Sequence, residues 1–455
     1  MENIAEQAKK YKNIMLDALD YFWKNPETGY KEYKTEAYLK HAFEKLGYCV
    51  TVAGNIPGFY ADADTGRPGP TVAVMAELDG LLCPTHPDAD PETGAVHCCG
   101  HGAQLAALLG VAAVLKELGA LDGLSGKIRL MAVPAEELIE IPYRQSLKDQ
   151  GIIRYFGGKV ELLHRGWFDG VDIAMMIHTT NAQQTGGYIY GGGNGCIVKE
   201  YTFEGVTAHA GGAPHQGINA LYAANLAMNA VNALRETFQD SDHIRFHPII
   251  TAGGDSVNAI PDVVKMEAYV RGADINAIVA ANERINRAAA ASAAAMGARL
   301  RIRDILGYHP IRNAPGLIPV MEQAMKQTLG NVTVEPGTVR AGCSDVGDLS
   351  ALMPMIHPYV SGASGKSHGS DYVITDPDTA VIGSAQVQLQ FLKLLLQEDA
   401  QQAKAVIQNY QPLYSSKEDY FEKMDRLNMD IQAVTYRQNH ILLQTNKDRI
   451  EWSKQ

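Results

Sequence analysis

The residues best suited to chemistry stand in four short segments: Val96-His97-Cys98-Cys99-Gly100-His101, Pro134-Ala135-Glu136-Glu137, His178 after the apolar run AMMI, and His368 in the loop SGASGKSHGSDY. Cys and His are preferred ligands of zinc-like ions, and two of them flanking one glycine can converge on a single centre. Taken alone, Cys-Gly-His reads equally as a buried cysteine beside a helix-capping histidine, and Cys98 reads as a packing residue. The Glu136-Glu137 pair differs from a solvated acidic pair because it follows the buried run IRLMAVPA, where uncompensated charge is costly. Consecutive side chains leaving a strand point opposite ways, so one carboxylate can hold metal while the other faces substrate. Together Cys99, His101, Glu137, His178 and His368 supply the ligand types of a two-metal hydrolase, with Glu136 as general base for a water nucleophile.

These segments need a scaffold that gathers distant positions. Helical periodicity covers roughly Ile4 to Trp23 and Thr35 to Leu46, and apolar strands follow at Gly58 to Ala63 and Thr71 to Glu77. A helix after His101 (QLAALLGVAAVLKEL) and strands in KIRLMAVPA and VDIAMMIH continue the alternation. The reading is an α/β sheet, whose ligands collect at the carboxyl ends of strands. The cluster Gly191 to Gly195 marks a hinge. Beyond it the order is strand, helix, strand, strand, helix, strand through about Arg303, a ferredoxin-like sandwich with a sheet edge available to another copy. From about His309 the chain returns to the first domain and closes it with the helix VIGSAQVQLQFLKLLLQ. The expected boundaries are 1–192 and 309–397 for the first domain, 193–308 for the insertion, and a polar, helical extension over 398–455, read as a packing or oligomer element.

Bulk properties narrow the partners. The 455 residues, 46% hydrophobic and 20% charged, make a large globular core. A net charge of -11 disfavours nucleic acid and anionic membranes, leaving small molecules or peptides. The charged N-terminus reads as a helix rather than a signal peptide, and no apolar run approaches a bilayer span, so the expected location is cytoplasmic. Six cysteines are too sparse for a disulfide framework.

The ordered set AELDGL, HCCGHGAQ, VPAEE, MMIH, GVTAHAGGAPHQGINA, GGDSVNAIPDVVKMEAYVR and SHGSDY resembles the aminoacylase and carboxypeptidase-G type of dinuclear metallopeptidase, family twenty, over roughly Ile4 to Leu395. Its Cys-Gly-His form is similar to subfamily D, whose members hydrolyse N-acyl amino acids, auxin conjugates, aminobenzoyl-glutamate and some dipeptides. GCSDVGDLSALMPMIHPYV is most similar to the aminobenzoyl-glutamate hydrolase and dipeptidase branch. The resemblance implies a zinc-peptidase-like catalytic domain with a central mixed sheet flanked by helices, and an inserted lid or dimerisation domain. It implies two divalent ions per subunit (zinc, manganese or cobalt), bridged by Cys99, with His101 and Glu137 completing one centre and His178 and His368 filling the remaining positions. Glu136 matches the general base, and His209 a histidine that stabilises the oxyanion in a neighbouring subunit's site, which requires at least a homodimer. Asn258 and Arg271 match substrate-binding positions, a planar Arg fork suiting a carboxylate.

Two departures stand out. Gly102 and Gln104 replace the Asp and His of the subfamily string, which bears on ligand orientation more than on the ligands themselves. Glu77 stands where other subfamilies place a metal-binding histidine, and Asp79 is placed to orient a ligand. The leading expectation is an amidohydrolase of N-acyl or N-aroyl amino acids or dipeptides. The alternatives are a non-catalytic metal- or ligand-binding regulator on the same fold, and a cysteine enzyme using Cys98 or Cys99.

Overall fold

A computed structural model of the chain describes residues 4–437, 440–445 and 449–453 and divides into two units. The first runs up to Gly192 and resumes over Ile311–Arg340 and Ser344–Tyr414; the second holds Gly193–Pro310, Ala341–Cys343 and the chain from Ser415 onward.

The first unit is built on a mixed six-stranded sheet in the order Thr51–Val52, Phe59–Asp64, Lys127–Val133, Thr71–Glu77, Ile173–Met175, Met355–Ile356. Phe59–Asp64 runs antiparallel to Lys127–Val133, while the next three pairings are parallel. The central strands are apolar at nearly every position because helices cover both faces. The helix His101–Leu115 is buried on every side, which is why its sequence is apolar all round rather than striped. Its first residue is thereby locked in place, and that residue is a proposed ligand.

The helix Ser384–Asn409 packs in the same core, its backbone breaking at Gln397–Ala400. With the turn before it, this stretch corrects the reading that no apolar run could span a bilayer: Asp378–Asn409 is long and apolar enough by composition. Its apolar window is 83% buried in the fold, so its composition is that of a core helix.

The second unit carries the expected order: strand Gly195–Glu204, helix Ala220–Leu234, strands Arg245–Ala252 and Val263–Gly272, helix Ile275–Ala295 and strand Arg299–Tyr308. Asn219 and Asp274 cap the two helices through their side-chain oxygens. The four strands pair antiparallel in the order 245–252, 263–272, 195–204, 299–308, the ferredoxin-like arrangement.

The helical extension over 398–455 needs correction. Only its first part is helical, ending at Asn409 and resuming over Lys417–Asp425; Met429–Arg437, His440–Gln444 and Arg449–Ser453 are strands. They add to the second unit's sheet beside Arg299–Tyr308, making it seven-stranded. Residues 438–439, 446–448 and 454–455 of that stretch lie outside the described residues. The physical reason is an available edge: a strand with unpaired backbone groups supplies the register that a polar sequence alone lacks. The opposite edge, Arg245–Ala252, exposes Ile249 and Ile250, and the neighbouring helix exposes Tyr222 and Leu226.

Candidate metal centre

The Cys99 loop is held by one backbone conformation. Gly100 sits at φ 101° just before the helix His101–Leu115, and a Cβ there would overlap Thr179 Oγ1 and the Tyr372 hydroxyl. Those two hydroxyls lie 2.9 Å apart, and Tyr372 also donates to the Cys99 carbonyl at 3.4 Å. Cys98 packs in an apolar cluster with Cys83 and Val96, and burial pushes its thiol up to about 12. Cys99 is different. Although burial and Glu137 raise its pKa, the His101 and His178 imidazoles bring it down to about 6.

Each histidine is oriented by its other nitrogen. His101 Nδ1 donates to the Asp79 carbonyl at 2.7 Å, and His178 Nδ1 to the Thr179 carbonyl at 2.8 Å, because a carbonyl can only accept. In both rings Nε2 is thereby presented to the cluster. His178 Nε2 lies 3.4 Å from Cys99 Sγ, and buried His101 Nε2 lies 3.0 Å from Glu77 Oε2 outside hydrogen-bonding geometry. His368, at φ 62° with its N–H donating to the Cys98 carbonyl at 3.0 Å, places Nε2 3.2 Å from Glu137 Oε1.

Ligand atoms of Cys99, His101 and His178 lie within 4.8 Å of one another, and so do those of Cys99, Glu137 and His368. Cys99 is common to both groups. The resemblance places His101 with Glu137; in the metal-free geometry the ligand atoms of His101 gather with those of His178, and those of Glu137 with those of His368. The donor set fits divalent metal: tetrahedral bonds of about 2.3 Å to sulfur and about 2.0–2.1 Å to nitrogen or oxygen put ligand atoms roughly 3.3–3.6 Å apart, close to the 3.4 and 3.2 Å separations here.

The two glutamates diverge as expected, but not from a strand. The strand ends at Val133, and Ala135 turns the chain at φ 56°. Glu137 joins the Cys99 and His368 group, while Glu136 Oε2 faces His101 Nε2 at 3.9 Å in a third cluster with Glu77. Burial, then the Glu77 and Glu137 carboxylates, raise the Glu136 pKa well above the usual carboxylate range.

Several supporting residues escaped the sequence reading. Arg144, fully buried, donates to the carbonyls of Ala135, Ile139 and Phe156 and to that of Glu137, so one guanidinium shapes the whole glutamate loop. Lys159, equally buried, bridges Glu77 Oε1 at 2.6 Å and Asp345 Oδ1 at 2.5 Å. No composition signal separates such residues from ordinary solvated Arg and Lys. Asp79, read as an orienting residue, accepts the Glu137 N–H at 2.8 Å besides receiving His101. The two departures also find a use. Gln104 donates to Glu77 Oε2 at 2.8 Å and accepts the Glu77 N–H, holding that carboxylate toward His101, and Gly102 lies close under Phe22.

His209, Asn258 and Arg271 belong to the second unit. His209 and Asn258 are brought together on exposed loops, the Ala210 N–H donating to the Asn258 carbonyl at 2.9 Å. The N–H groups of Gly211 and Gly212 both donate to His209 Nδ1, so in the neutral ring Nε2 carries the proton and is free to donate it. Arg271, half-buried on Val263–Gly272, has its guanidinium carbon 5.2 Å from the Tyr269 ring centroid.

Residues 194–297 match the M20 peptidase dimerisation domain. The chain is 28% identical over 388 residues to the Xaa-Arg dipeptidase of Homo sapiens, covering 82% of this chain and 80% of that one. It is 30% identical over 308 residues to the indole-3-acetyl-aspartic acid hydrolase of Enterobacter agglomerans, covering 63% and 66%. Its fold is also similar to a dinuclear metal-binding peptidase of the M20 family from Bacillus subtilis, with a TM-score of 0.63 at 20% identity over 85% of this chain and 99% of that one.

Proposed function

We propose, from the premise that this chain belongs to the M20 peptidase family and is a metal-dependent amide hydrolase, that it cleaves N-acyl or N-aroyl amino acids or dipeptides, with aminobenzoyl-glutamate-like conjugates the first candidates. The observation that carries the reading is Cys99, shared by two ligand groups with Glu136 beside one of them. Two divalent ions bound there, zinc, manganese or cobalt, would polarise the scissile carbonyl and make a water acidic near neutral pH.

The protein's own groups do the rest. Glu136, buried with Lys159 and His101 nearby, accepts the water proton and returns it to the leaving amine. His209 Nε2–H donates to the developing oxyanion in a partner subunit's site, and Asn258 and Arg271 hold the substrate, the guanidinium taking its carboxylate. Supporting a homodimer, the edge strand with exposed Ile249 and Ile250 and the helix with Tyr222 and Leu226 offer an apolar surface to a second copy. The net charge of -11 favours a small substrate over nucleic acid, and the cytoplasm remains the expected compartment.

The test pairs metal content by mass spectrometry with release of free amine from aminobenzoyl-glutamate, N-acetyl amino acids and dipeptides. The expected result is two ions per chain, chelator-sensitive turnover, and a loss of about 100- to 10,000-fold in Glu136→Ala with metal retained. Metal binding with no turnover across the panel favours a regulatory binding protein. Turnover that survives full chelation means a cysteine enzyme.

A further inference from the structure

Arg340 ends the strand Val332–Arg340, which pairs with the strand Gly187–Gly193 that carries Tyr190; Tyr359–Ser361 lies in the same sheet and pairs Tyr359 with His178. The guanidinium carbon lies 4.4 Å from the Tyr359 ring centroid and 4.9 Å from that of Tyr190. Tyr359 in turn lies 5.8 Å from the His178 ring, so a single aromatic layer separates Arg340 from a metal-centre histidine. The two rings stand at 66° to each other with centroids 5.8 Å apart, so the guanidinium sits against the corner they form and its charge is attracted by both. Among the described residues, no carboxylate pairs with Arg340 and no acceptor takes a hydrogen bond from it. Arg340 is thus half-buried between two aromatic rings, in a chain that has 51 acidic residues against 40 basic ones.

We infer that Arg340, clamped by Tyr190 and Tyr359, is a specificity residue that takes the side-chain carboxylate of an acidic amino-acid conjugate and disfavours cationic substrates. The inference rests on the amide-hydrolase reading above and adds to it a residue in the first unit, distinct from Arg271. A guanidinium held against two tyrosine rings loses less freedom on binding a carboxylate than a free side chain does, and bidentate pairing is stronger than a single neutral hydrogen bond.

The test compares wild type with Arg340→Met and Arg340→Lys on aminobenzoyl-glutamate and on N-acetylmethionine, and titrates each protein with glutarate by calorimetry. Arg340→Met is expected to lose about 10- to 100-fold in kcat/KM on the acidic substrate, carried by KM, with a much smaller loss on the neutral one. Glutarate affinity should fall in parallel, and Arg340→Lys should recover part of it. Equal losses on both substrates, or glutarate binding unchanged by Arg340→Met, would overturn the assignment. If wild type cleaves neither substrate the amide-hydrolase reading fails, while the glutarate titration still decides the role of Arg340.

Discussion

Metal loading should release protons in a number set by the cluster. In the metal-free protein, hydrogen bonds to Cys99 and Glu137 hold His368 at about 11. Burial opposes the charge on His101, yet Glu77 and Cys99 raise its pKa well above the ordinary histidine value. For His178 burial again lowers and Cys99 raises, leaving a smaller upward shift. Cys99 at about 6 and Glu137 at about 2 have already lost their protons at pH 7. An entering pair of ions therefore displaces protons from imidazoles alone: one each from His101 and His368 and part of one from His178, roughly two to three in all. Each unit of acidification below neutrality should weaken the combined binding constant by about two to three powers of ten.

The assay is calorimetric titration of chelated protein with zinc in buffers of different ionisation enthalpy, the slope giving protons released. A slope near zero would refute the imidazole assignment, and a slope above about four would mean that the thiol or a carboxyl is also protonated. A second signature follows by linkage. A raised folded-state pKa stabilises fully below the unfolded value of about 6.5 and loses that contribution as pH climbs toward the folded value. Chelated protein should thus lose stability between about pH 6.5 and 11, the window set by His368.

Three further outcomes are expected. Gly100→Ala forces a Cβ at φ 101° into the Thr179 and Tyr372 hydroxyls, so it should cost at least about 1–3 kcal/mol and reduce metal stoichiometry; an unchanged melting temperature would contradict the packing described. Lys159→Met leaves Glu77 and Asp345 buried without their cation, a loss of about 3–5 kcal/mol by urea denaturation, and a midpoint within error of wild type would show that the network is dispensable. The double variant Ile249→Lys, Ile250→Lys should halve the molar mass by light scattering if this edge joins two copies, while an unchanged dimer mass would locate the interface elsewhere.

Local pattern made much of this molecule readable. The six elements of the inserted unit follow in the expected order because their periodicities are strong and their turns polar. The candidate ligands stand out in the sequence only as a set, since each Cys or His taken alone reads equally as structural, and the buried strand before Glu136 makes the carboxylate pair conspicuous. What escaped depends on partners far away in sequence. Lys159 reads as a surface residue until Asp345, 186 positions later, is brought beside it. The gathering of His101 with His178 around Cys99 joins residues as distant as Cys99 and His178, 79 positions apart, which no local spacing encodes. The strand Met429–Arg437 looks helical in isolation, and it becomes a strand only against Arg299–Tyr308.

That last pairing also sets a schedule for synthesis. Arg301 and its partner Asp430 are 129 residues apart, so at about 5–20 residues per second the edge Arg299–Tyr308 waits roughly 6–26 s for its neighbour. During that interval Arg299 and Arg301, alternating along the strand with buried Leu300 and Ile302, place positive charge beside the uncovered edge, while Arg303 is already paired with Glu200. Charges in that position deter another nascent copy from docking there. Arg301, which pairs with Asp430 only when that strand arrives, thus serves first as a guard of an unfinished sheet.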